Sequence, residues 1–335
     1  MAYLVLNTVT DRARDRLELF RMERVRGVNL WAASCALPAD VIMSYQFVAV
    51  GPGGLDSRVA DDRRAWARVL ASAVRDRSHP RALVNGRGHV ASLFAGPDAR
   101  LVWPDREVFS RDMRAAREVE CAVPLAPDGA SPRQRVVVVH DGEGAPVRTL
   151  MLFDGQIWRA NGVGWLTRRY RGLRVITIDV GAAREREAVL TDVALVEALI
   201  RSICDEVGVG PVTIAGQSYG GLAVLEAALR TDIDIDVVIA QSPSLWWGGE
   251  HRGVGEGTLM GDLRAGWVRP RAGVTLRLQV GTLEQTMRPV VDECAELLRN
   301  LGAAVELDHY RGGHDVAWWR EGLVRVLDGW WPLTS

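Results

Sequence analysis

The sequence GQSYGG at residues 216–221 decides the fold of this chain. A β-branched apolar run, VTIA, precedes it, and an Ala/Leu-rich run, LAVLEAAL, follows it. A strand, a sharp turn carrying G-x-S-x-G and a helix are together typical of a nucleophile elbow. The pattern predicts that Ser218 is a nucleophile and that a Cβ atom at Gly216 or Gly220 would collide with the neighbouring strand or helix. The alternative is a buried serine in a glycine-rich turn.

The chain after residue 133 alternates between predicted strands and helices. Short, continuous apolar runs indicate strands that are covered on both faces, and helical stretches separate several of them. This alternation favours a doubly wound, mostly parallel sheet, so we expect an α/β-hydrolase domain at residues 133–335. Strands are predicted at 136–139, 149–153, 173–178, 237–240, 274–280 and 304–307, and helices at 190–207, 222–230, 287–301 and 317–327.

Residues 1–95 are predicted to form a small β-sandwich-like domain. Apolar and polar residues alternate loosely along its first half, as at Leu17 and Leu19 around Glu18, and short strands at such spacing suit a sandwich. A helical segment is predicted at its end, near 60–77. The polar, proline-punctuated segment 96–132 is predicted to be a linker.

Composition and charge narrow the class of protein. The 335 residues carry a formal net charge of −1, which gives no argument for nucleic acid or an anionic membrane as a partner. The basic residues are all arginine. The N-terminus lacks a secretory pattern, and no apolar run approaches the ~20 residues of a membrane helix. Cys35, Cys121, Cys204 and Cys294 are scattered without metal-ligand spacing. We expect free thiols, no metal and a soluble cytoplasmic protein.

A hydrolase with this elbow carries an acid and then a histidine after the nucleophile in chain order. Glu284 follows the strand predicted at 274–280, and His314 follows a Gly-Gly pair that permits a tight turn. His314 is predicted to take the proton from Ser218 and return it to the leaving alkoxide, while Glu284 orients the imidazole. The alternatives are His309 as the base, and Asp292, Glu293 or Asp315 as the acid.

Two backbone N–H groups are expected to hold the oxyanion. One belongs to the residue after the nucleophile, Tyr219, and the other to the loop after an early strand. The strand at 149–153 ends in Asp154, Gly155 and Gln156, which predicts the N–H of Gln156 or Gly155 as the second donor. Alternatively, Asp-Gly is an ordinary strand-end turn.

Several segments resemble the enterochelin (enterobactin) esterases, α/β-hydrolases that cleave tri-ester catecholate siderophores. The similar segments are LFDGQIW at 152–158, AGQSYGGL at 215–222, QSPSLWW at 241–247, GGHD at 312–315 with the following Trp319-Arg320, and GHVAS at 88–92. The resemblance implies an immunoglobulin-like N-terminal domain. The sequence departs from the family at Pro243, where a glycine is common, and in a shorter N-terminal region.

The resemblance also implies a substrate. A ferric or iron-free siderophore macrolactone would be the small-molecule partner, hydrolysed inside the cell without a cofactor of the protein's own. Aromatic faces with arginines nearby suit planar, anionic catecholates. The residues predicted to contact substrate, with core packing as the alternative for each tryptophan, are Trp158, Trp246, Trp247, Trp319 and, in the loop after the strand at 173–178, Arg184. Rival functions are hydrolysis or acyl transfer on another ester, such as a cyclic depsipeptide or sugar ester, and non-catalytic siderophore binding on a hydrolase fold.

Overall fold

The computed structural model describes residues 1–51, 53–104, 116–123, 133–181, 183–248 and 257–331. Contacts within the chain divide it into two compact units. The first comprises the N-terminal residues together with Gly281–Glu284 and Tyr310–Glu321, and the second comprises the remainder. In the described part of the chain, no helix is both long and apolar enough to span a membrane.

The first unit contains a six-stranded antiparallel sheet. Its strands are β1 (Ala2–Leu6), β2 (Arg21–Arg24), β3 (Trp31–Ala32), β4 (Ile42–Ala49), β5 (Ala82–Val84) and β6 (Val90–Ala95), and its helices are α1 (Val9–Arg12) and α2 (Arg63–Ala71). The strand order is β3-β2-β1-β4-β6-β5, and every pair is antiparallel. Val5 and Met43 of the sheet share a buried core with Trp66 and Leu70 of α2. The predicted N-terminal β domain is therefore confirmed as an antiparallel one. Its six described strands lie in one sheet, whereas a sandwich has two.

One N-terminal segment differs from the expected alternation. Residues Arg14–Phe20 form 3₁₀ helix where a strand pattern was predicted around Leu17 and Leu19. Leu17 and Phe20 are buried, whereas Leu19 is 60% exposed. Side chains three residues apart lie on the same side of a 3₁₀ helix. The partner of Leu17 in the core is therefore Phe20, and the period of two was the wrong pattern here.

The second unit is built on an eight-stranded sheet. Its strands are β7 (Ala116–Val123), β8 (Arg133–Asp141), β9 (Arg148–Phe153), β10 (Leu173–Ile178), β11 (Val212–Gln217), β12 (Ile235–Gln241), β13 (Thr275–Gly281) and β14 (Ala304–Tyr310). The strand order is β7-β8-β10-β9-β11-β12-β13-β14. Strand β8 is antiparallel to β7 and β10, while β10, β9, β11, β12 and β13 pair in parallel.

Helices alternate with most of these strands. They are α3 (Gly155–Ala160), α4 (Leu166–Arg169), α5 (Ala183–Leu190), α6 (Val193–Val207), α7 (Tyr219–Arg230), α8 (Thr258–Ala265), α9 (Arg288–Asn300) and α10 (Val316–Asp328). Helix α7 is buried along residues 220–229, so it is the most enclosed helix near the elbow. A mostly parallel sheet with intervening helices confirms the predicted α/β-hydrolase fold.

The strand β7 lies inside the segment 96–132 that the sequence predicted as a linker. It pairs with β8 along its whole length. Cys121 is fully buried and Val119 packs against the core, but Glu118 and Glu120 are exposed. β7 ends the sheet order, and charged side chains are common on edge strands. The exposed charges gave this strand the polar composition of a linker.

Candidate active site

Ser218 lies at the turn between β11 and α7. Its backbone has φ 58° and ψ −118°, a conformation that non-glycine residues rarely adopt. The Ser218 N–H donates to the Gln241 carbonyl at 3.0 Å, and the Leu222 N–H donates to the Ser218 carbonyl at 3.1 Å. These bonds hold the strained turn between the sheet and α7. The chain therefore has the geometry of the predicted elbow.

The glycines around Ser218 differ in how much room their surroundings leave for a Cβ atom. A Cβ atom at Gly216 would run into the Gly220 carbonyl, so this glycine is required, as predicted. A Cβ at Gly220 would make only ordinary contacts, at 3.5 Å from Phe153 and 3.6 Å from Asp154, so the predicted collision there is wrong. The second crowded position is Gly221, where a Cβ would lie 3.0 Å from backbone atoms of the strand β12 and the residues after it.

Substitution of these glycines is expected to separate crowding from helix propensity. Gly216→Ala should lower the free energy of unfolding by on the order of 3 kcal/mol, because a clash with backbone atoms cannot be relieved by a side-chain rotation. Gly220→Ala, the matched control inside α7, should leave it unchanged or raise it by about 0.5–1 kcal/mol, because alanine is the better helix former. Urea denaturation measures both. Equal stability of the two variants would contradict the packing described here.

Three buried glutamines brace the strands beneath the elbow. The Gln217 side chain donates to that of Gln241 at 3.4 Å, and Gln241 donates to Gln279 at 2.7 Å. Gln279 donates in turn to the Gly322 carbonyl in α10 at 3.1 Å. The ladder ties the carboxyl ends of β11, β12 and β13 together. This series of hydrogen bonds was not predicted from the sequence, although each of the three apolar strands has a glutamine at or near its end.

Two features follow from the residues next to Ser218: a hydroxyl partner for its side chain, and a small aromatic cluster that includes its chain neighbour Tyr219. The Oγ of Ser218 is 3.2 Å from the Ser244 hydroxyl. The ring of Tyr219 packs 5.6 Å from Trp246 and 5.4 Å from Trp247, and the two tryptophans are 6.0 Å apart, centre to centre. All three rings are half-buried, so each keeps part of its surface accessible. Two of the tryptophans predicted to contact substrate are thus brought together next to the elbow.

An ion pair holds the turn that was predicted to supply the second oxyanion donor. Asp154 has φ 59°, and its carboxylate accepts two hydrogen bonds from Arg186, at 2.5 and 2.7 Å. Arg186 also donates to the Gln217 carbonyl at 3.3 Å and lies 5.6 Å from the centre of the Tyr219 ring. Burial opposes the charge of Arg186, but Asp154 outweighs that effect and raises the pKa of the guanidinium. Arg186 therefore links the β9–α3 turn to the elbow, a role the sequence did not reveal.

Three other predicted site residues lie in the second unit. Gln156 is exposed in the first turn of α3. Arg184 is exposed on α5, so the segment predicted as a loop is a helix. Positions 184 and 186 are about 200° apart around a helix, which explains why Arg186 reaches the elbow and its neighbour does not. Trp158 is 2% exposed and offers almost no ring surface to a ligand. Substrate contact by Arg184 and Trp158 stays a prediction.

His314 and Glu284 form a hydrogen-bonded pair in the first unit. Nδ1 of His314 lies 2.7 Å from Oε2 of Glu284, whose side chain is fully buried. The other carboxylate oxygen accepts the Gly281 N–H at 2.9 Å. Because a carboxylate can only accept, it selects the tautomer with the proton on Nδ1, which leaves a lone pair on Nε2. The His314 side chain is 33% exposed, so the ring is only partly buried.

The alternative bases and acids have other partners. His309 Nε2 lies 2.7 Å from Asp292 at an exposed site. Glu293 accepts from Arg264 at 2.7 Å. Asp315 is buried and accepts a backbone N–H of β4 at 2.6 Å. Glu284, by contrast, is bonded directly to His314, which favours it over the three competing carboxylates.

The Gly-Gly pair before His314 serves close packing. Neither Gly312 nor Gly313 has a positive φ, so an unusual turn conformation is not what requires glycine. A Cβ at Gly312 would run into the Trp318 ring, and one at Gly313 would run into Thr8. The predicted reason for these glycines is corrected accordingly. Trp319, another predicted substrate contact, packs edge-on against the His314 ring at 4.8 Å.

Comparison with known proteins finds similarity along both units. The family described as "Enterochelin esterase, N-terminal" matches residues 1–103, and the family described as "Putative esterase" matches residues 193–329. The iron(III) enterobactin esterase of Escherichia coli O6:H1 is 26% identical, over 99% of this chain and 86% of its own length. The iron(III) salmochelin esterase of the same organism is 26% identical, over 96% and 82% respectively. The crystal structure of the ferric enterobactin esterase of Salmonella typhimurium matches with a TM-score of 0.79 and 26% identity, over 97% of this chain and 87% of that one.

Proposed function

Since this chain belongs to the enterochelin esterase family of ester hydrolases, we propose that it is a serine esterase that hydrolyses the ester bonds of a catecholate siderophore macrolactone, ferric or iron-free. The observation that carries the proposal is the extent of the similarity: relatives named as enterobactin and salmochelin esterases align with 99% and 96% of this chain. Hydrolysis would release the iron inside the cell, and we place the protein in the cytoplasm. The iron is cargo of the substrate.

Ser218 is the nucleophile in this proposal. Its Oγ attacks the ester carbonyl carbon while Nε2 of His314 takes the hydroxyl proton. The N–H groups of Tyr219 and Gln156 hold the oxyanion, which then collapses and expels the siderophore alkoxide. His314 returns the proton to that alkoxide and leaves an acyl-serine. A water molecule, deprotonated by His314, attacks the acyl group and releases the carboxylic acid and free Ser218.

Glu284 supports both proton transfers. Its carboxylate, 2.7 Å from Nδ1, keeps the base nitrogen on the opposite side of the ring. When Nε2 takes a proton, the ring becomes a cation whose second N–H already points at a buried negative charge. The strained Ser218 backbone, the hydrogen-bonded His314–Glu284 pair and the Ser-acid-His chain order support these assignments.

Aromatic surface supports a catecholate substrate. The half-buried rings of Trp246 and Trp247 pack against Tyr219, the residue after Ser218, and planar catechol rings stack on such surfaces. We propose Trp246 and Trp247 as substrate contacts, with Arg184 supplying positive charge for the anionic catecholate oxygens. Trp319 flanks His314 but is only 6% exposed, so its contact with substrate stays a prediction, as it does for Trp158.

Mass spectrometry of the products tests the function. The purified protein is incubated with a cyclic tri-ester catecholate siderophore, with and without iron, and linear trimer, dimer and monomer are expected in turn. A cyclic depsipeptide and simple acyl esters are run beside it. Absence of every linear product at all enzyme concentrations would overturn the proposal, and strong preference for one of the other esters would favour the rival substrate class.

A further inference from the structure

A short segment that follows the first strand of the N-terminal sheet contacts both loops that carry the His314–Glu284 pair. The segment comprises residues 7–12, which follow β1 and include α1. It belongs to the same compact unit as the two loops, at 281–284 and 311–315. Thr8 contacts one loop and Arg12 contacts the other. One piece of chain therefore reaches both members of the pair.

Thr8 holds the backbone of His314. Its Oγ1 accepts the His314 N–H at 2.6 Å, and its own N–H donates to the Asp11 carboxylate at 3.1 Å. Thr8 is 5% exposed and has φ 68°, which is a genuine outlier for a β-branched residue. Such strain persists where surrounding contacts overdetermine it, and it is concentrated at functional sites. Here the strained residue is bonded to the backbone of the histidine itself.

Packing around Thr8 leaves the His314 loop little freedom. Gly313 lies so close that a Cβ there would collide with the Thr8 side chain. The Ser44 N–H donates to the Asp315 carboxylate at 2.6 Å, on the other side of His314. Contacts at Gly313, His314 and Asp315 therefore fix the loop before, at and after the histidine. Of these, the hydrogen bond with Thr8 is the one made by the His314 backbone.

Arg12 holds the second loop. Its guanidinium donates to the Leu283 carbonyl at 3.0 Å, one residue before Glu284. Burial lowers the pKa of Arg12, and the negative charge of Glu284 opposes that effect. The two side chains therefore attract each other, and the arginine restrains the loop from which the Glu284 carboxylate projects.

We propose that Thr8 and Arg12 are positioning residues for catalysis, Thr8 by fixing the backbone of the base His314 and Arg12 by fixing the loop of Glu284. The inference rests on the proposed roles of His314 and Glu284. Neither Thr8 nor Arg12 needs to touch substrate. Because a misplacement of about 1 Å can cost on the order of 10²-fold in rate, a hydrogen bond that sets the His314 backbone acts on kcat.

The Thr8→Val variant of the full chain tests the first half. Valine keeps the β-branched shape, so the strain is retained and only the acceptor oxygen is lost. We expect kcat to fall by about 10- to 100-fold with KM changed by less than about threefold, the pattern of a lost transition-state interaction. Thr8→Ser, which keeps the oxygen, should retain kcat within about threefold of wild type.

A buried hydroxyl elsewhere in the same compact unit provides the stability control. Ser92 is fully buried, accepts the Asp76 N–H at 2.9 Å and donates to the Asp76 carbonyl at 3.2 Å. Ser92→Ala should lower the melting temperature at least as much as Thr8→Val but leave kcat unchanged.

The proposed role of Arg12 is tested by the Arg12→Gln variant, which should lower kcat by about three- to tenfold. Arg16→Gln, which alters an exposed arginine four residues beyond the end of α1, should leave kcat unchanged.

The rate at which a fluorophosphonate probe labels Ser218 gives a readout that needs no siderophore. Labelling should slow in Thr8→Val in proportion to kcat, so the inference can be tested even if the siderophore proves not to be the substrate. Wild-type kcat and labelling in Thr8→Val would overturn it. So would an equal loss in Ser92→Ala, or failure of Thr8→Ser to restore activity, since either would make the effect one of folding or packing.

Discussion

Ser218→Ala is expected to lower kcat for ester hydrolysis by about 10⁵- to 10⁶-fold, the loss seen when a serine hydrolase loses its nucleophile. The alanine cannot form the acyl-enzyme, and only oxyanion stabilisation and binding would remain. A fluorophosphonate probe should label the wild type at Ser218 and leave the variant unlabelled. The fold should be intact, because the strained turn is held by backbone bonds to Gln241 and Leu222 that alanine retains.

Ser244→Ala is the matched control for this experiment. It removes a hydroxyl that lies 3.2 Å from Ser218 Oγ without removing the proposed nucleophile, so the variant should still be labelled. Equal labelling of wild type and Ser218→Ala would refute the assignment of Ser218. A labelled Ser218→Ala together with an unlabelled Ser244→Ala would transfer the nucleophile to Ser244.

Glu284→Gln is expected to lower kcat by about 10³- to 10⁴-fold with the fold preserved. Glutamine has the same shape, and its carbonyl oxygen can still accept the Gly281 N–H, which leaves the NH₂ group facing His314. An NH₂ group donates, so it selects the imidazole tautomer with its proton on Nε2. That nitrogen could then no longer take a proton from Ser218.

A second histidine–carboxylate pair supplies the control for Glu284→Gln. Asp292 bonds His309 at the same 2.7 Å, but at an exposed site. Asp292→Asn should therefore leave kcat unchanged. Steady-state rates and melting curves of both variants are compared with the wild type. A loss smaller than about tenfold in Glu284→Gln, or a similar loss in both variants, would remove Glu284 from the mechanism.

Much of the hydrolase unit could be predicted because its signals are local. The elbow combines three features within a few residues, and the short, continuous apolar runs predicted β9 to β13 with small errors at the ends. The pairing of Glu284 with His314 was predicted from chain order together with the position of Glu284 just after a strand, and the 2.7 Å bond between them singles it out from Asp292 and Glu293. Strand β7 was missed because an edge strand carries exposed charges and has no continuous apolar run.

What could not be predicted depends on contacts between distant residues or on the direction of a side chain. Arg184 and Arg186 are two arginines of the same segment, and the sequence does not distinguish them. Only the direction in which each side chain leaves helix α5 determines that Arg186 reaches Asp154. Gly220 and Gly221 are adjacent, and only the position of β12 makes the second one crowded. Thr8 belongs to no sequence motif, and its partner His314 lies 306 residues away, so no local pattern could predict their contact.

That separation has a consequence for how the protein folds during synthesis. The unit that contains Thr8 also needs residues 281–284 and 310–321, so it is discontinuous along the chain. Domains usually fold as they emerge, the N-terminal one first, but here the contacts of the N-terminal residues with 281–284 and 310–321 can form only after those later segments have been made. Loop closure over about 300 residues is slow compared with local contacts. We expect the contact between Thr8 and the histidine loop to be a late step of folding, and activity to appear only after it forms, because its two partners are synthesised 306 residues apart.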